Sequence, residues 1–224
     1  MNAAARRRRV GTRGFTLLEL FVVVVIIGVF ATMAMPQITT QLRDRRVREA
    51  AQRVATLYQQ ARMRALGEGG AILVRYTPGA NNQGTFEVRH ALTGTADLGC
   101  SIQPAPSCTQ TDWNDVALGQ FRISDRFEFG LTPGLGATTG TQPVWATLIP
   151  ETSSAITNST SIMDVCFTPL GRTFVRYSAN GALVPLAGIP QVSVYRSPNG
   201  AVANAMGLVR TVLVPPSGAA RLRL

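Results

Sequence analysis

The sequence has few of the residues from which most active sites and metal centres are built. Its 224 residues include one histidine, three cysteines and twelve acidic residues. The histidine, His90, has no serine or cysteine motif that would make it the base for a nucleophile, so we expect it to be a surface or packing residue. No C-x-x-C pair, Walker A, Rossmann or H-E-x-x-H motif occurs. These absences predict a protein that is not an enzyme and uses no cofactor.

The twelve acidic residues are scattered rather than clustered. Asp112 and Asp115 lie close together in D-W-N-D-V, and Asp125 and Glu128 lie close together in S-D-R-F-E-F. Either stretch supplies oxygen ligands for Ca²⁺, but neither follows the ordered D-x-D-x-D-G pattern of a calcium loop. We therefore predict no metal site.

Lysine is absent, and the 22 basic residues are all arginine, which gives a net charge of +10. Five of these arginines lie in residues 1–14 with no acidic residue among them, and seven lie between Arg43 and Arg64. The basic residues therefore flank one apolar run. Arginines before an apolar run are the ordinary signal that keeps that end of a chain in the cytoplasm, so the charge does not require a nucleic-acid partner.

Only one long apolar run is present, Phe15–Met35, and Glu19 is its single charged residue. Its length is close to the roughly 20 residues that a helix needs to cross a membrane, so we expect it to span one. The alternative is a cleaved secretory signal peptide, but the run is long for such a signal. A carboxylate inside it also costs about 2.5 kcal/mol or more in lipid, which predicts a partner for Glu19 outside the run.

The stretch R-G-F-T-L-L-E-L resembles the type III signal of type IV pilins and type II secretion pseudopilins. The resemblance implies that a prepilin peptidase cleaves between Gly14 and Phe15 and that the new Phe15 amine is methylated. It also implies that Glu19, the fifth residue of the mature chain, pairs with the N-terminal amine of a neighbouring subunit during assembly. An unpaired carboxylate in lipid is costly, and a nearby ammonium lowers that cost, so the pairing would drive and register subunit docking.

Two residues predict weak points in the N-terminal helix. Gly28 lies inside the apolar run and Pro36 lies just past it, and each disfavours helix continuity. Filaments of the resembled families often loosen their helices in this interval. The alternative, that Pro36 only marks the membrane boundary, is equally compatible with the sequence.

From Leu42 to Leu66 the spacing of apolar residues predicts an amphipathic helix, and G-E-G-G ends it. Its apolar face consists of Val47, Ala50, Ala51, Val54, Tyr58, Ala61 and Ala65. The opposite face is rich in arginine. Small alanines on the apolar face would let a sheet approach closely.

After Gly70 the pattern changes to short strands separated by Gly, Pro and Asn turns. We predict strands in 71–77, 85–91, 120–130, 161–169, 172–178, 191–196 and 210–215, with the first two forming a hairpin. F-T-P-L-G-R-T-F and the final V-L-V-P-P-S-G-A-A-R-L-R-L resemble the GspH/FimT group of minor pilins and pseudopilins. The predicted fold class is α+β, with a long N-terminal pilin helix, transmembrane half and amphipathic half, packed on a mostly antiparallel β head.

The three cysteines suggest one disulfide. Cys100 and Cys108 flank a short loop whose ends a bridge would join in an oxidising compartment, whereas Cys166 reads as a buried thiol. The alternative is three free cysteines that pack as small apolar residues.

The C-terminus suggests a second kind of partner. No acidic residue follows Asp164, and Arg221 and Arg223 alternate onto one face of a strand beyond a turn at Ser217-Gly218. Some members of the FimT group, which this chain resembles, are associated with DNA uptake through a C-terminal Gly-Arg-x-Arg element. Here the arginine directly after Gly218 is missing, and the tail has no aromatic residue for stacking. A solvated strand edge or a subunit interface is the alternative.

Together these observations predict a minor pilin or pseudopilin that primes or caps a type IV pilus or a type II secretion pseudopilus. The alternative is a DNA-binding minor pilin for natural transformation. The predicted domains are a leader at 1–14, a transmembrane helix at 15–36, an amphipathic periplasmic helix at 37–67 and a β-rich head at 68–224. The expected location is the inner membrane, crossed once, with the C-terminal domain in the periplasm. The expected partners are sibling pilins, the prepilin peptidase, inner-membrane lipid and the platform protein of the assembly machine.

The leader assignment makes a testable prediction at Gly14. A bulky substitution such as Gly14→Val should block cleavage, because the peptidase of the resembled families prefers glycine before the scissile bond. Immunoblotting should then show only the precursor, with Gly11→Val as a control that matures normally. Full maturation of Gly14→Val would contradict the leader assignment.

Overall fold

The structure is a computed structural model, and it describes residues 16–78, 84–93, 103–114, 120–128, 144–150, 162–197, 205 and 207–223. The chain divides into two compact units, residues 1–42 and residues 43–224. The first helix, α1, runs from Leu17 to Glu68 and contributes residues to both units. Its part from Arg43 onward therefore belongs to the same compact unit as the strands.

Two antiparallel sheets account for the strands that the structure describes. In chain order they are β1 (Ile72–Pro78), β2 (Gly84–Thr93), β3 (Gln103–Pro104), β4 (Phe121–Glu128), β5 (Val144–Ile149), β6 (Met163–Phe167), β7 (Thr173–Arg176), β8 (Val184–Pro185), β9 (Gln191–Arg196), β10 (Arg210–Leu213) and β11 (Arg221–Arg223). The first sheet has the order β3-β2-β1-β6-β7-β8, with β4 also paired to β2. The second has the order β11-β10-β9-β5.

The predicted hairpin is confirmed. β1 and β2 pair antiparallel, with Val74 opposite Val88 and Tyr76 opposite Phe86. Strands were also predicted at the positions of β4, β6, β7, β9 and β10. Short apolar runs bounded by Gly, Pro and Asn turns were a sufficient signal for these strands.

The main hydrophobic core lies between the C-terminal half of α1 and one face of each sheet. The helix supplies Val47, Ala51, Val54, Tyr58, Ala61 and Ala65, which are all buried. Tyr58 contacts Phe86 of β2 edge to face, and the Tyr76 hydroxyl donates a hydrogen bond of 2.7 Å to the backbone oxygen of Ala146 in β5. This hydrogen bond joins the two sheets across the core. The predicted amphipathic face is thus confirmed, with Ala50 partly buried at its border.

A second, smaller core covers the opposite face of the first sheet. Residues 103–114 pack there, with Trp113 fully buried and its indole nitrogen donating to the backbone oxygen of Cys108. A disulfide joins Cys108 to Cys166 of β6, with 6.0 Å between the Cα atoms. It attaches the covering segment to the middle of the sheet. The sheet is therefore buried on both faces at β1 and β6.

A buried ion cluster lies on the same covered face. Asp164 of β6 is fully buried and stands between Arg75 of β1 and Arg176 of β7, which are its neighbours in the strand register. Arg75 binds both carboxylate oxygens of Asp164, at 2.8 and 2.7 Å, and Arg176 Nε binds one at 2.6 Å. Asn114 accepts a hydrogen bond from Arg75 and donates one to Ala179, so the cluster also holds the covering segment. Charge-assisted bonds of this kind offset the cost of burying the charges.

The structure corrects the predicted fold class and location. Among the residues that it describes, no helix is long and apolar enough to cross a membrane. The prediction of a long pilin helix, with a transmembrane half, packed on a β head is therefore wrong. The described chain is mainly antiparallel sheet, and the predicted single-pass location in the inner membrane is contradicted as well.

Two site predictions are also corrected. The helix α1 continues through both Gly28 and Pro36, so the expected helix break is not present. Cys108 is bonded to Cys166, so the predicted bridge from Cys100 to Cys108 is wrong. Cys100 itself lies outside the described residues. Proximity in sequence favoured the pair at 100 and 108, but the packing of residues 103–114 on β6 brings Cys108 to Cys166 instead.

The disulfide assignment predicts a stability difference between two cysteine variants. Cys108→Ala should lower the free energy of unfolding by about 4 kcal/mol, because the lost bridge closes a loop with a sequence separation of 58. Cys100→Ala should change it little. Urea unfolding under oxidising conditions, with reductant added as a control that removes the Cys108 effect, measures both. Equal destabilisation by the two variants would contradict the pairing.

Candidate functional site

The start of α1 is shaped by a capping interaction. The backbone nitrogen of Glu19 donates a hydrogen bond of 3.2 Å to the Thr16 hydroxyl oxygen, and Leu20 bonds to the Thr16 backbone oxygen. Thr16-Leu17-Leu18-Glu19 is the T-x-x-E pattern of a capping box, in which threonine caps the helix and glutamate occupies its first turn. A carboxylate there also interacts favourably with the helix dipole. The capping of α1 therefore also accounts for a glutamate at position 19.

The N-terminal part of α1 exposes large apolar side chains on every side. We call Leu17–Met33 the apolar segment. Leu17 is 85% exposed, Phe21 65% and Phe30 67%, and all the side chains of this segment are exposed. Burying one such side chain contributes about 1.5–3 kcal/mol. A surface of this kind is stable in water only when something else covers it.

Glu19 is the single charged group of the apolar segment. Its side chain is exposed, and it forms no ion pair with another residue of the described ranges. Gly14 and Phe15, where the sequence predicts cleavage and methylation, lie outside those ranges. The structure thus describes the carboxylate of the predicted assembly contact but not the amine.

The second predicted site, Arg221 and Arg223, lies on an exposed strand edge. The turn before β11 has Gly218 at a φ of 71°, with its nitrogen bonded to the Pro215 oxygen, as the sequence predicted. Arg221 and Arg223 are both exposed, whereas Leu222 between them packs against the main core. The alternation predicted for the two arginines is therefore confirmed.

A surface groove of about 520 Å³ lies beside this strand, and the sequence did not predict it. One wall is the helix α1 and the other is β11 with the residue before it. The lining residues are Gln52, Ala55, Thr56, Gln59, Ala220, Arg221 and Leu222. The Gln59 side-chain amide donates a hydrogen bond of 2.8 Å to the Ala220 backbone oxygen, which positions the start of β11 against the helix.

His90 connects α1 to the first sheet. It is buried, with Nδ1 2.9 Å from Glu68 Oε2 and Nε2 2.8 Å from the Ser124 hydroxyl. A neutral imidazole with its hydrogen on Nδ1 satisfies both contacts. The register shift in the pairing of β2 with β4 leaves Ser124 as an extra residue, a bulge that turns this strand toward His90. The predicted packing role of His90 is confirmed.

The same three groups stand in the order of a catalytic carboxylate, imidazole and hydroxyl. Two observations favour the structural role. Glu68 is 45% exposed, and Arg64 donates a further hydrogen bond of 3.4 Å to the Ser124 oxygen, which lowers the nucleophilicity of that oxygen.

Burial lowers the pKa of His90 below its ordinary value of 6.5. The charge and hydrogen bond of Glu68 oppose this change in pKa, and the charges of Arg122 and Arg64 add to it.

Sequence reasoning missed the ion cluster of Asp164 and the partners of His90. Each of β1, β6 and β7 carries one charged residue within an apolar strand, which is the available signal for the cluster. The pairing of these charges depends on a strand register that links residues 89 positions apart.

No family model, curated protein or solved structure matches this chain.

The lowered pKa of His90 predicts how stability depends on pH. The unfolded chain takes up the proton at about pH 6.5, before the folded protein does, so stability is full above that pH and falls as the pH decreases below it. The free energy of unfolding should fall between pH 7 and 5.5, by at most about 1.4 kcal/mol per pH unit. Urea unfolding at both pH values measures it.

Two variants serve as controls for this pH dependence. His90→Gln should show a smaller loss of stability over the same pH interval, because no imidazole titrates. Glu68→Gln should show a larger loss, because the group that opposes the lowered pKa is gone. Identical pH dependence in the wild type and His90→Gln would contradict the assignment.

Proposed function

We propose that this protein is a minor structural subunit of a type IV pilus or a type II secretion pseudopilus, and that it enters the filament through α1. The observation that carries the proposal is the apolar segment, Leu17–Met33, which is exposed on every side and contains a single carboxylate. A filament of parallel helices would cover such a surface with the same surface of neighbouring subunits. The resemblance of R-G-F-T-L-L-E-L to the type III signal supports this proposal.

Glu19 has two roles in this proposal. Its backbone completes the cap of α1 within the subunit, as the bond to Thr16 shows. Its carboxylate is left without an ion-pair partner among the described residues, so it is available to the N-terminal amine of a neighbour. Surrounded by apolar helices, a carboxylate without a cation is strongly unfavourable, so the pairing would select the correct axial register of the subunits.

The C-terminal half of α1 and the strands form the part of the subunit that would determine its neighbours. Their core is complete without the apolar segment, since every member of the main cluster lies after Arg43. A deletion of the gene in a strain that cannot retract pili tests the role. Loss of surface filaments by electron microscopy would support a priming subunit of a pilus, and normal filaments would favour the secretion pseudopilus.

The assembly contact predicts a specific effect of Glu19→Gln. Glutamine keeps the capping-box pattern, because it is accepted at this position, but removes the charge. We expect normal cleavage of the leader and incorporation into sheared filaments reduced at least tenfold, which corresponds to about 1.4 kcal/mol. Immunoblots of whole cells and of the filament fraction measure the two quantities.

The matched control is Glu49→Gln on the same helix. Among the described residues, the ion pair of Glu49 is an exposed one with Arg45, so this variant loses one negative charge without affecting the apolar segment. It should be incorporated like the wild type. Normal incorporation of Glu19→Gln would overturn the pairing, and equal loss in both variants would show a nonspecific effect of charge.

A further inference from the structure

Among the residues that the structure describes, no strand pairs with the outer edge of β11. Within the described residues it pairs only with β10 and stands at the end of the second sheet. The backbone N–H and C=O groups on its outer side therefore pair with no strand of the described ranges, and they are the groups that an added strand would bond. The edge is short, but the hydrogen bond from Gln59 to Ala220 holds its start in position.

The charge on this edge has one sign. Arg221 and Arg223 are exposed on the same side of β11, and neither forms an ion pair with another residue that the structure describes. The 60 residues after Asp164 contain no acidic residue that would neutralise them. A strand that pairs here places every second side chain beside the arginines, so carboxylates at alternate positions match them.

The groove supplies the remaining part of the site. It is lined by residues of α1 and of β11 with the residue before it, and these include the apolar Ala55 and Leu222 and the amides Gln52 and Gln59. It is an open surface groove with a volume of about 520 Å³. The inward side chains of an added strand would enter this groove while its carboxylates face Arg221 and Arg223.

We propose that β11 and the adjacent groove bind an extended acidic segment of another protein chain by strand addition. Main-chain hydrogen bonds to the outer edge give affinity, and the alternation of carboxylates with small apolar side chains gives specificity. Nucleic acid fits less well, because none of the groove-lining residues is aromatic and the outer amide edge matches a polypeptide backbone. A second copy of this chain is disfavoured by its net charge of +10.

The proposed binding site is argued from the geometry of residues 43–223. Only the identity of the partner as a sibling subunit rests on the proposed function. The two ideas are tested separately, because Glu19 variants leave β11 unchanged and the experiment below does not involve filaments. Either the filament assembly through Glu19 or the strand addition at β11 can therefore be contradicted while the other stands.

The experiment measures the binding of a fluorescent peptide to the full chain, kept in a mild nonionic detergent because of its apolar segment. The probe is a peptide of seven residues in which aspartate and valine alternate, with both ends blocked. Fluorescence anisotropy titration gives its affinity. A second peptide has the same sequence and charge but carries N-methyl groups on alternate amides, so it cannot extend a sheet. A single-stranded oligonucleotide of similar charge is the third probe.

Three variants test the residues. Arg221→Gln with Arg223→Gln should weaken binding of the acidic peptide about five- to thirtyfold, as expected for the loss of two surface ion pairs. Thr56→Trp should weaken it without a change of charge, because Thr56 is exposed and lines the groove. Arg48→Gln with Arg172→Gln removes the same charge from exposed positions elsewhere and should have little effect.

The expected result is binding of the acidic peptide and at least tenfold weaker binding of the N-methylated peptide. Equal affinity for both peptides would overturn the proposal, because charge alone would then explain the binding. Absence of binding would also overturn it. Tighter binding of the oligonucleotide, lost in the Arg221 and Arg223 variant, would overturn it in favour of the DNA-binding alternative.

Discussion

The burial of one face of α1 is the interaction on which the rest of the described structure depends. Val54, Tyr58 and Ala61 lie in the same hydrophobic cluster as residues of both sheets. Each sheet has an apolar face that needs a covering layer, and this helix face serves both of them. The alanines on this face have small side chains, which let the strands approach the helix closely. The groove beside β11 and the contacts of His90 exist because the helix is held there.

The first sheet carries a second constraint, since β1 and β6 are buried on both faces. Residues 103–114 cover the outer face through the disulfide of Cys108 and the buried ring of Trp113. The cluster of Asp164 with Arg75 and Arg176 lies under the same cover. Two arginines share one aspartate, so the outer face combines apolar packing with a charged network that only this strand register assembles. This arrangement explains why residues 103–114, for which the sequence predicts no strand, are packed.

The apolar segment follows different physical rules from the rest of α1. From Val47 onward, helical periodicity separates an apolar face from an arginine-rich face, as expected for a helix packed on a core. Between Leu17 and Met33 no such separation exists, and the side chains are exposed on every side. This exposed apolar surface extends over the whole segment. The proposed filament assembly is the arrangement in which identical surfaces of neighbouring subunits cover it and the Glu19 carboxylate meets a cation.

Much of the fold could be predicted from the sequence because its signals are local. The amphipathic face of Val47 to Ala65, the hairpin of β1 and β2 and the turn at Gly218 follow from residue spacing and turn chemistry. Predictions made from a single residue, or from two cysteines that are close in sequence, were less reliable. Pro36 and Gly28 do not interrupt α1. The expected transmembrane half is contradicted among the described residues, and the bridge predicted for Cys100 and Cys108 is replaced by that of Cys108 and Cys166.

The sequence by itself determined the positions of most strands, the buried face of the helix and the exposure of Arg221 and Arg223, because periodicity specifies which side chains share a face. The tertiary structure alone decided the partner of Cys108, the two arginines on Asp164, the contacts of His90 and the groove beside β11. Each of these depends on segments far apart in the chain. Strand register and helix packing bring such segments together, and no local pattern records them.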